Sequence, residues 1–249
     1  MTPESTREQR ARFEDSEALR ALLNRLHEAG KGAWRHDPEA ALLMRHAADK
    51  YAALARRHGL LLMEDAPYAY LQENAPAPLA ALAPELTVHI SSFSKSVATG
   101  LRVGFIAAPR DWIPRLERAI RATTWNTPGV MTAIACNWLE DGTIHRLEAQ
   151  KRRDALERQA IAAKVFQGFH HLGHPASYFI WLPLAGDIRT DGVVRELLQQ
   201  RISVSTAEPF ATTAQVPHAL RIALGSVALD ALEPALAQVR RTVEDHMYR

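Results

Sequence analysis

The run Ser91-Ser92-Phe93-Ser94-Lys95-Ser96-Val97-Ala98-Thr99-Gly100-Leu101-Arg102-Val103-Gly104-Phe105 constrains this chain more than any other segment. It joins two short apolar runs, residues 86–90 and 103–107, whose length and bounding residues read as buried strands. Lys95 therefore sits among hydroxyl side chains just past the end of one strand. Arg102 opens the next strand, seven residues later. An amine, several hydroxyls and a planar bidentate donor collected at one sheet edge suit a lysine held in a covalent imine beside a phosphate.

A third strand pattern, residues 60–63, runs into Glu64-Asp65-Ala66-Pro67-Tyr68. Ligands of open parallel sheets bind outside the carboxyl ends of the strands, and Asp65 falls at such an end. A carboxylate there can keep a ring nitrogen protonated by charge pairing, and a phenol three residues on can donate to a ring oxygen. Upstream, Asp37-Pro38-Glu39 is a strong helix start, and the helix it opens is expected to run to His58 and stop at Gly59. Ser92-Phe93-Ser94-Lys95 also matches the Ser-x-x-Lys of serine acyl-enzymes such as the penicillin-binding proteins. That chemistry needs a Ser-Asp-Asn and a Lys-Thr-Gly downstream, and neither tripeptide occurs.

The Asp65 and Lys95 motifs, in this order and thirty residues apart, resemble the class I/II aminotransferases of fold type I. The resemblance implies an α/β fold: a partial pyridoxal-phosphate-dependent transferase large domain followed by a C-terminal α+β small domain. It implies pyridoxal 5'-phosphate as cofactor, with Lys95 as its attachment point and as the base and acid at the substrate Cα. It makes Asp65 the partner of the ring nitrogen and Tyr68 the partner of the ring oxygen. Arg102 and Ser92 become phosphate ligands, with Ser94 a weaker candidate. Arg221, in Leu220-Arg221-Ile222-Ala223-Leu224, sits where the family keeps an arginine that forks onto the substrate α-carboxylate. Without the family, an arginine in an alternating strand reads as the solvent-facing position.

Further segments narrow the resemblance to the aminotransferase-like half of MocR-type regulators, which join that domain to a GntR-type winged helix. They are Thr123-Thr124-Trp125-Asn126-Thr127-Pro128-Gly129, Asn137-Trp138-Leu139-Glu140-Asp141-Gly142-Thr143 and the run from Pro175 to Leu184. The resemblance covers roughly residues 38–245. The family's glycine-rich phosphate turn, ring-stacking aromatic and Asn-Pro turn are not found ahead of it, since none of Asn24, Asn74, Asn126 and Asn137 precedes a proline. The chain thus resembles the C-terminal two-thirds of the family domain behind a divergent start. Residues 1–36, with Leu19, Leu22, Leu23 and Leu26 in a narrow stripe, read as a helical segment too small for a winged helix. Residues 37–140 read as the partial cofactor-binding large domain, and 141–249 as a linker helix and the small domain.

Within the later part, helices are expected near 111–124, 129–140, 143–167 and 193–200 and from 229, with strands near 177–184, 202–204 and 220–224. Leu147, Leu156 and Ile161 are expected on the apolar side of the long helix. Lys151, Arg152, Arg153 and Arg158, interleaved with Glu148, Asp154 and Glu157, read as a solvated face. His170, His171 and His174 have no carboxylate or cysteine at ligand spacing and read as a turn, so no metal is expected.

A formal charge of +2 forces neither a nucleic-acid nor a membrane partner, and the scattered tryptophans make no platform for bases. The single cysteine, Cys136, excludes an intramolecular disulfide and fits a reducing cytoplasm. The resemblance supports two functional readings. One is amino-group transfer between an amino acid and a 2-oxo acid through a Lys95 Schiff base. The other is a non-catalytic cofactor-sensing effector domain, or a remnant of one, of a MocR-type regulator. Either implies small-molecule amino acids or 2-oxo acids as partners, and a homodimer in which the segment around Trp125-Asn126-Thr127 approaches the neighbouring subunit's phosphate.

Overall fold

The computed structural model describes residues 38–247 except 74, 187 and 213, with side chains from residue 47 onward. Asp37 and the leucine stripe of residues 19–26 lie outside the described residues. The chain divides into two compact units between Glu148 and Ala149. The boundary expected from the sequence falls earlier, ahead of the long helix that this division cuts.

In the first unit, helix α1 spans Pro38–His58 and ends in Arg56, Arg57 and His58, cations that suit the negative end of its dipole. Gly59 closes it at φ 60°, a left-handed conformation that glycine adopts without steric cost. Then come β1 (Leu62–Asp65), a one-turn helix α2 (Leu79–Leu82), β2 (Thr87–Ser92), a second one-turn helix α3 (Phe93–Ser96) and β3 (Gly104–Ala107). Helices α4 (Ile113–Thr123) and α5 (Gly129–Glu140) come next, and α6 (Thr143–Val165) begins here. The sheet order is β1-β2-β3, with β1 parallel and β3 antiparallel to β2.

Strand β1 starts two residues later than its apolar run suggests. The amide of Leu60 is taken by the Ala55 carbonyl as the helix closes, and the ladder opens only where Leu62 donates to Leu86. Polar Glu64 stays in the strand because its carboxylate is satisfied across the sheet. It accepts from the Leu79 and Ala80 amides at 2.9 and 3.3 Å and meets His89 Nδ1 at 2.9 Å. Phe93, Leu101, Val103, Ala135 and Ile144 form the buried cluster of this unit, with Val97, Met131, Ile134 and Trp138 packed on it.

The second unit contains most of α6, then β4 (Phe179–Pro183), α7 (Thr190–Gln199), β5 (Ser205–Thr206), β6 (Ala219–Ala223) and α8 (Leu229–Met247). Its antiparallel sheet has the order β4-β6-β5. Ile180, Leu182, Leu220 and Ile222 bury one sheet face against Ala162 and Phe166 of the α6 region, Val193 and Leu197 of α7, and Leu232, Leu236, Val239 and Val243 of α8. This is the α+β small domain expected. No helix among the described residues is long and apolar enough to cross a membrane.

Three expectations need correction here. The strand expected at 202–204 lies at Ser205–Thr206, because the amide of Ile202 is captured by the Leu197 carbonyl to close α7. Ile202 and Val204 still pack on the core, but without a ladder. In α6 the buried side is Ala155, Arg158, Gln159 and Ala162 rather than Leu156, which is exposed, since the small alanines admit close packing. Arg158 is therefore not on a solvated face.

With only 8% of its surface exposed, Arg158 donates from Nε to Asp154 and from Nη1 to the Leu224 and Val227 carbonyls at 2.8 and 2.9 Å. Asp154 also accepts from the Tyr178 hydroxyl at 2.8 Å. Arg158→Ala would leave two main-chain acceptors and a carboxylate without their donor. The expected loss is about 2–4 kcal/mol, read as a lower urea midpoint at unchanged slope. Arg158→Lys is expected to recover less than half of it, because an ammonium cannot reproduce the fork.

Candidate functional site

Parallel pairing of β1 and β2 brings both carboxyl ends to the same edge of the sheet, with Asp65 opposite Ile90. The antiparallel β3 begins at that edge, Gly104 opposite Ser92. The ladder therefore gathers the β1 turn, the β2–α3 corner and the Arg102 corner, and main-chain bonds tie them together. The amide of Ala66 donates to the Ile90 carbonyl at 2.9 Å and that of Phe93 to the Val103 carbonyl at 3.0 Å. The Ser91 hydroxyl donates to the Ala66 carbonyl at 3.2 Å. Gly104 lies so close to the β2 main chain that an added Cβ would stand 3.4 Å from the Ser91 carbonyl oxygen.

Asp65 and Ser92 are the last residues of their strands, Lys95 lies on α3, and Tyr68 follows the β1 turn. Phe93 and Ser96 are buried on either side of Lys95, which anchors the one-turn helix and leaves the lysine exposed. Arg102 is held at φ 51°, a left-handed conformation unusual for a side-chain-bearing residue, and its guanidinium is exposed. Among the described residues the carboxylate of Asp65, the hydroxyl of Ser92, the ammonium of Lys95 and the guanidinium of Arg102 form no hydrogen bond or ion pair with one another or with other groups. Four charged or polar groups of complementary type thus stand at one sheet edge with their bonding capacity unspent.

Tyr70 is a residue that sequence reasoning missed. Its hydroxyl donates to the Lys95 carbonyl at 2.8 Å, fastening the turn after β1 to the helix that carries the lysine. Burial, reinforced by Tyr68 and the negative Glu148, pushes its phenol up to about 12, so it stays a donor throughout the physiological range. Its only sequence signal was an aromatic two residues after Tyr68. The Glu64–His89 pair, equally unforeseen, supports the same strands from below the site.

Arg221 belongs to the second unit, at the middle of β6, opposite Trp181 of β4 and Ser205 of β5. Its guanidinium carbon lies 3.7 Å from the centre of the Phe179 ring and 5.3 Å from that of Phe210. Among the described residues no group of three or more histidine, cysteine, aspartate or glutamate side chains could hold a metal ion.

A lysine-bearing turn at the carboxyl edge of a parallel strand pair, followed by an α+β unit, is the arrangement of a pyridoxal-phosphate transferase of fold type I. The chain belongs to the class I and II aminotransferase family, whose model matches residues 12–239. That match begins inside the segment that the sequence pattern marks as divergent. The HTH-type transcriptional regulator YdeF of Bacillus subtilis is 27% identical over 84% of this chain and 46% of its own length. The mitochondrial kynurenine/alpha-aminoadipate aminotransferase of Bos taurus is 32% identical over 55% of this chain and 35% of its own. The chain thus spans about half the length, or less, of these relatives. Among solved structures, LysN, the alpha-aminoadipate aminotransferase of Thermus thermophilus complexed with N-(5'-phosphopyridoxyl)-L-leucine, superposes with a TM-score of 0.73 at 19% identity. The superposition covers 81% of this chain and 55% of that one. Similarity to both MocR-like regulators and aminotransferases agrees with the resemblance read from the motifs.

Glu64 makes the support of this site pH-dependent. Burial raises its carboxyl, but the bonds from His89, Leu79 and Ala80 outweigh that and hold it below its ordinary 4.5. A carboxylate with a depressed folded-state pKa contributes stability that is fully present above its unfolded value and is lost as pH falls through the folded one. Glu64→Gln is expected to cost about 1–3 kcal/mol at pH 7 and to flatten the stability loss below pH 4.5. Urea denaturation of both proteins from pH 7 to pH 3 checks this, and parallel curves would refute it.

Proposed function

We propose that this chain carries the lysine-bearing part of a pyridoxal-phosphate site and serves amino-group transfer between an amino acid and a 2-oxo acid. The observation that supports the reading best is the set of unspent groups, Asp65, Ser92, Lys95 and Arg102, at one end of one sheet. Their chemistry fits the cofactor: an acid for a basic ring nitrogen, an amine for an aldehyde, and a guanidinium with a hydroxyl for a phosphate. Pyridoxal phosphate, when bound, supplies a ring that withdraws electrons from the substrate Cα.

The chain's own residues do the rest. Asp65 holds a proton on the ring nitrogen by charge pairing, and Tyr68 donates to the ring oxygen. Arg102 binds phosphate with two parallel N–H donors, helped by Ser92 and more weakly by Ser94. The amine of Lys95 is the covalent attachment point and, once released, carries a proton to and from the substrate Cα. Tyr70 holds the main chain beneath that amine. Arg221 grips the substrate α-carboxylate. On this reading the chain works in the cytoplasm as a two-fold dimer, and the exposed Trp125 is available for the interface.

The similarity to HTH-type regulators over 84% of the chain favours a second reading, in which the same residues bind the cofactor for sensing and not for turnover. Mixing the cofactor-loaded chain with amino acids separates the two. Conversion to the amino form of the cofactor, seen as loss of absorbance above 400 nm, marks a transferase.

Borohydride reduction of the loaded chain and then peptide mapping is expected to place the label on the peptide containing Lys95, and label on any other lysine would sink the assignment. Asp65→Ala is expected to keep part of the bound cofactor, because Lys95, Ser92 and Arg102 remain. It should lose nearly all amino-group transfer, and activity equal to the parent would rule the role out.

A further inference from the structure

Arg221 is held in an unusual way for a strand arginine. Its strand is the centre of the β4-β6-β5 sheet, so side chains can approach it from both flanks. Phe179 comes from β4, where Phe179 and Trp181 alternate with the buried Ile180 and Leu182 and so share the face of Arg221. Directly opposite Arg221 is Trp181, and Phe179 is its diagonal neighbour, close enough for an aromatic ring to reach across. Phe210 arrives from the other flank, in the turn after β5.

Both rings attract the cation through their π faces, and neither offers a hydrogen-bond acceptor. Among the described residues the guanidinium has no acceptor of any other kind. Its position is restrained by two rings while its N–H fork stays unspent. Phe210 is 52% exposed and belongs to no buried cluster among the described residues, so core packing does not account for it.

We propose that Phe179 and Phe210 are positioning residues that hold the Arg221 fork ready for the carboxylate of a 2-oxo or amino acid. The proposal rests on the reading of Arg221 as the carboxylate grip. An unrestrained arginine loses rotamer freedom when it binds, and rings that fix it beforehand remove part of that cost. They do so without competing for its donors.

The full chain, labelled with 15N-arginine, provides the test. The Arg221 Nε–H signal is identified by its loss in Arg221→Lys and followed while pyruvate is added, with uncharged pyruvamide as control. In the parent protein the signal is expected upfield, shifted by the rings, and to move with pyruvate but not with pyruvamide. Phe210→Leu and Phe179→Leu are expected to weaken pyruvate binding about three- to tenfold. For Phe210→Leu the melting temperature should stay unchanged, which a merely structural role would not give. Phe179→Tyr should restore both shift and affinity. Parent-like affinity in both leucine variants would overturn the proposal while leaving the grip standing. A parent signal insensitive to pyruvate would overturn the grip and the proposal with it. If Phe179→Leu fails to fold, the exposed Phe210 decides alone.

Discussion

Parallel pairing of β1 with β2 is the constraint on which the candidate site depends. A parallel ladder brings two carboxyl ends to one edge, and here those ends carry Asp65 and Ser92 with Lys95 just beyond. The main chain holds these groups together. The Ala66 amide on Ile90 and the Phe93 amide on Val103 bind the corners to the ladder, so the polar side chains at the edge remain available. A site built this way can keep charged groups unpaired and exposed, because the energy that orders it comes from backbone bonds and from Phe93, Leu101 and Val103 underneath.

The second unit solves a similar problem by another route. Its core is largely apolar but buries Arg158, Gln159, Thr190 and Thr242, and the Tyr178–Asp154–Arg158 network reaches from α6 to the main chain just beyond β6. Arg158 spends its donors on carbonyls and a carboxylate and serves the fold, whereas Arg221, on the strand that this network closes, meets no acceptor among the described residues. Two arginines of one small domain are thus set apart by the groups that face them, carbonyls and a carboxylate for Arg158 and aromatic rings for Arg221.

The chain is similar both to aminotransferases and to HTH-type regulators. On the proposed reading of the site, the cofactor-binding side chains at the β1–β2 edge would serve turnover or sensing alike. The two roles part at the step after binding: proton movement at the substrate Cα in a transferase, a change in a partner domain in a regulator.

Much of this was legible in the chain itself. The alternation of short apolar runs with polar ends marked β1, β2 and β3 and put Asp65 and Ser92 at strand ends with Lys95 and Arg102 close beside them, because strand ends are set by local composition and chain punctuation. Gly59 stopped α1 as glycine should, and the small domain's elements fell within a few residues of their apolar patterns. Tertiary structure decided what local pattern cannot encode. Glu64 stayed in its strand because His89 and two amides of α2 reach it across the sheet. Arg158 was buried because carbonyls 66 and 69 residues away accept its protons. Residues 202–204 lost their strand to the closing turn of α7, and Tyr70 found the Lys95 carbonyl at a separation of 25 residues. Composition and period determine which face of an element is apolar; the partner of a polar group is a property of the folded chain, since it depends on which distant segments the packed core brings within bonding distance.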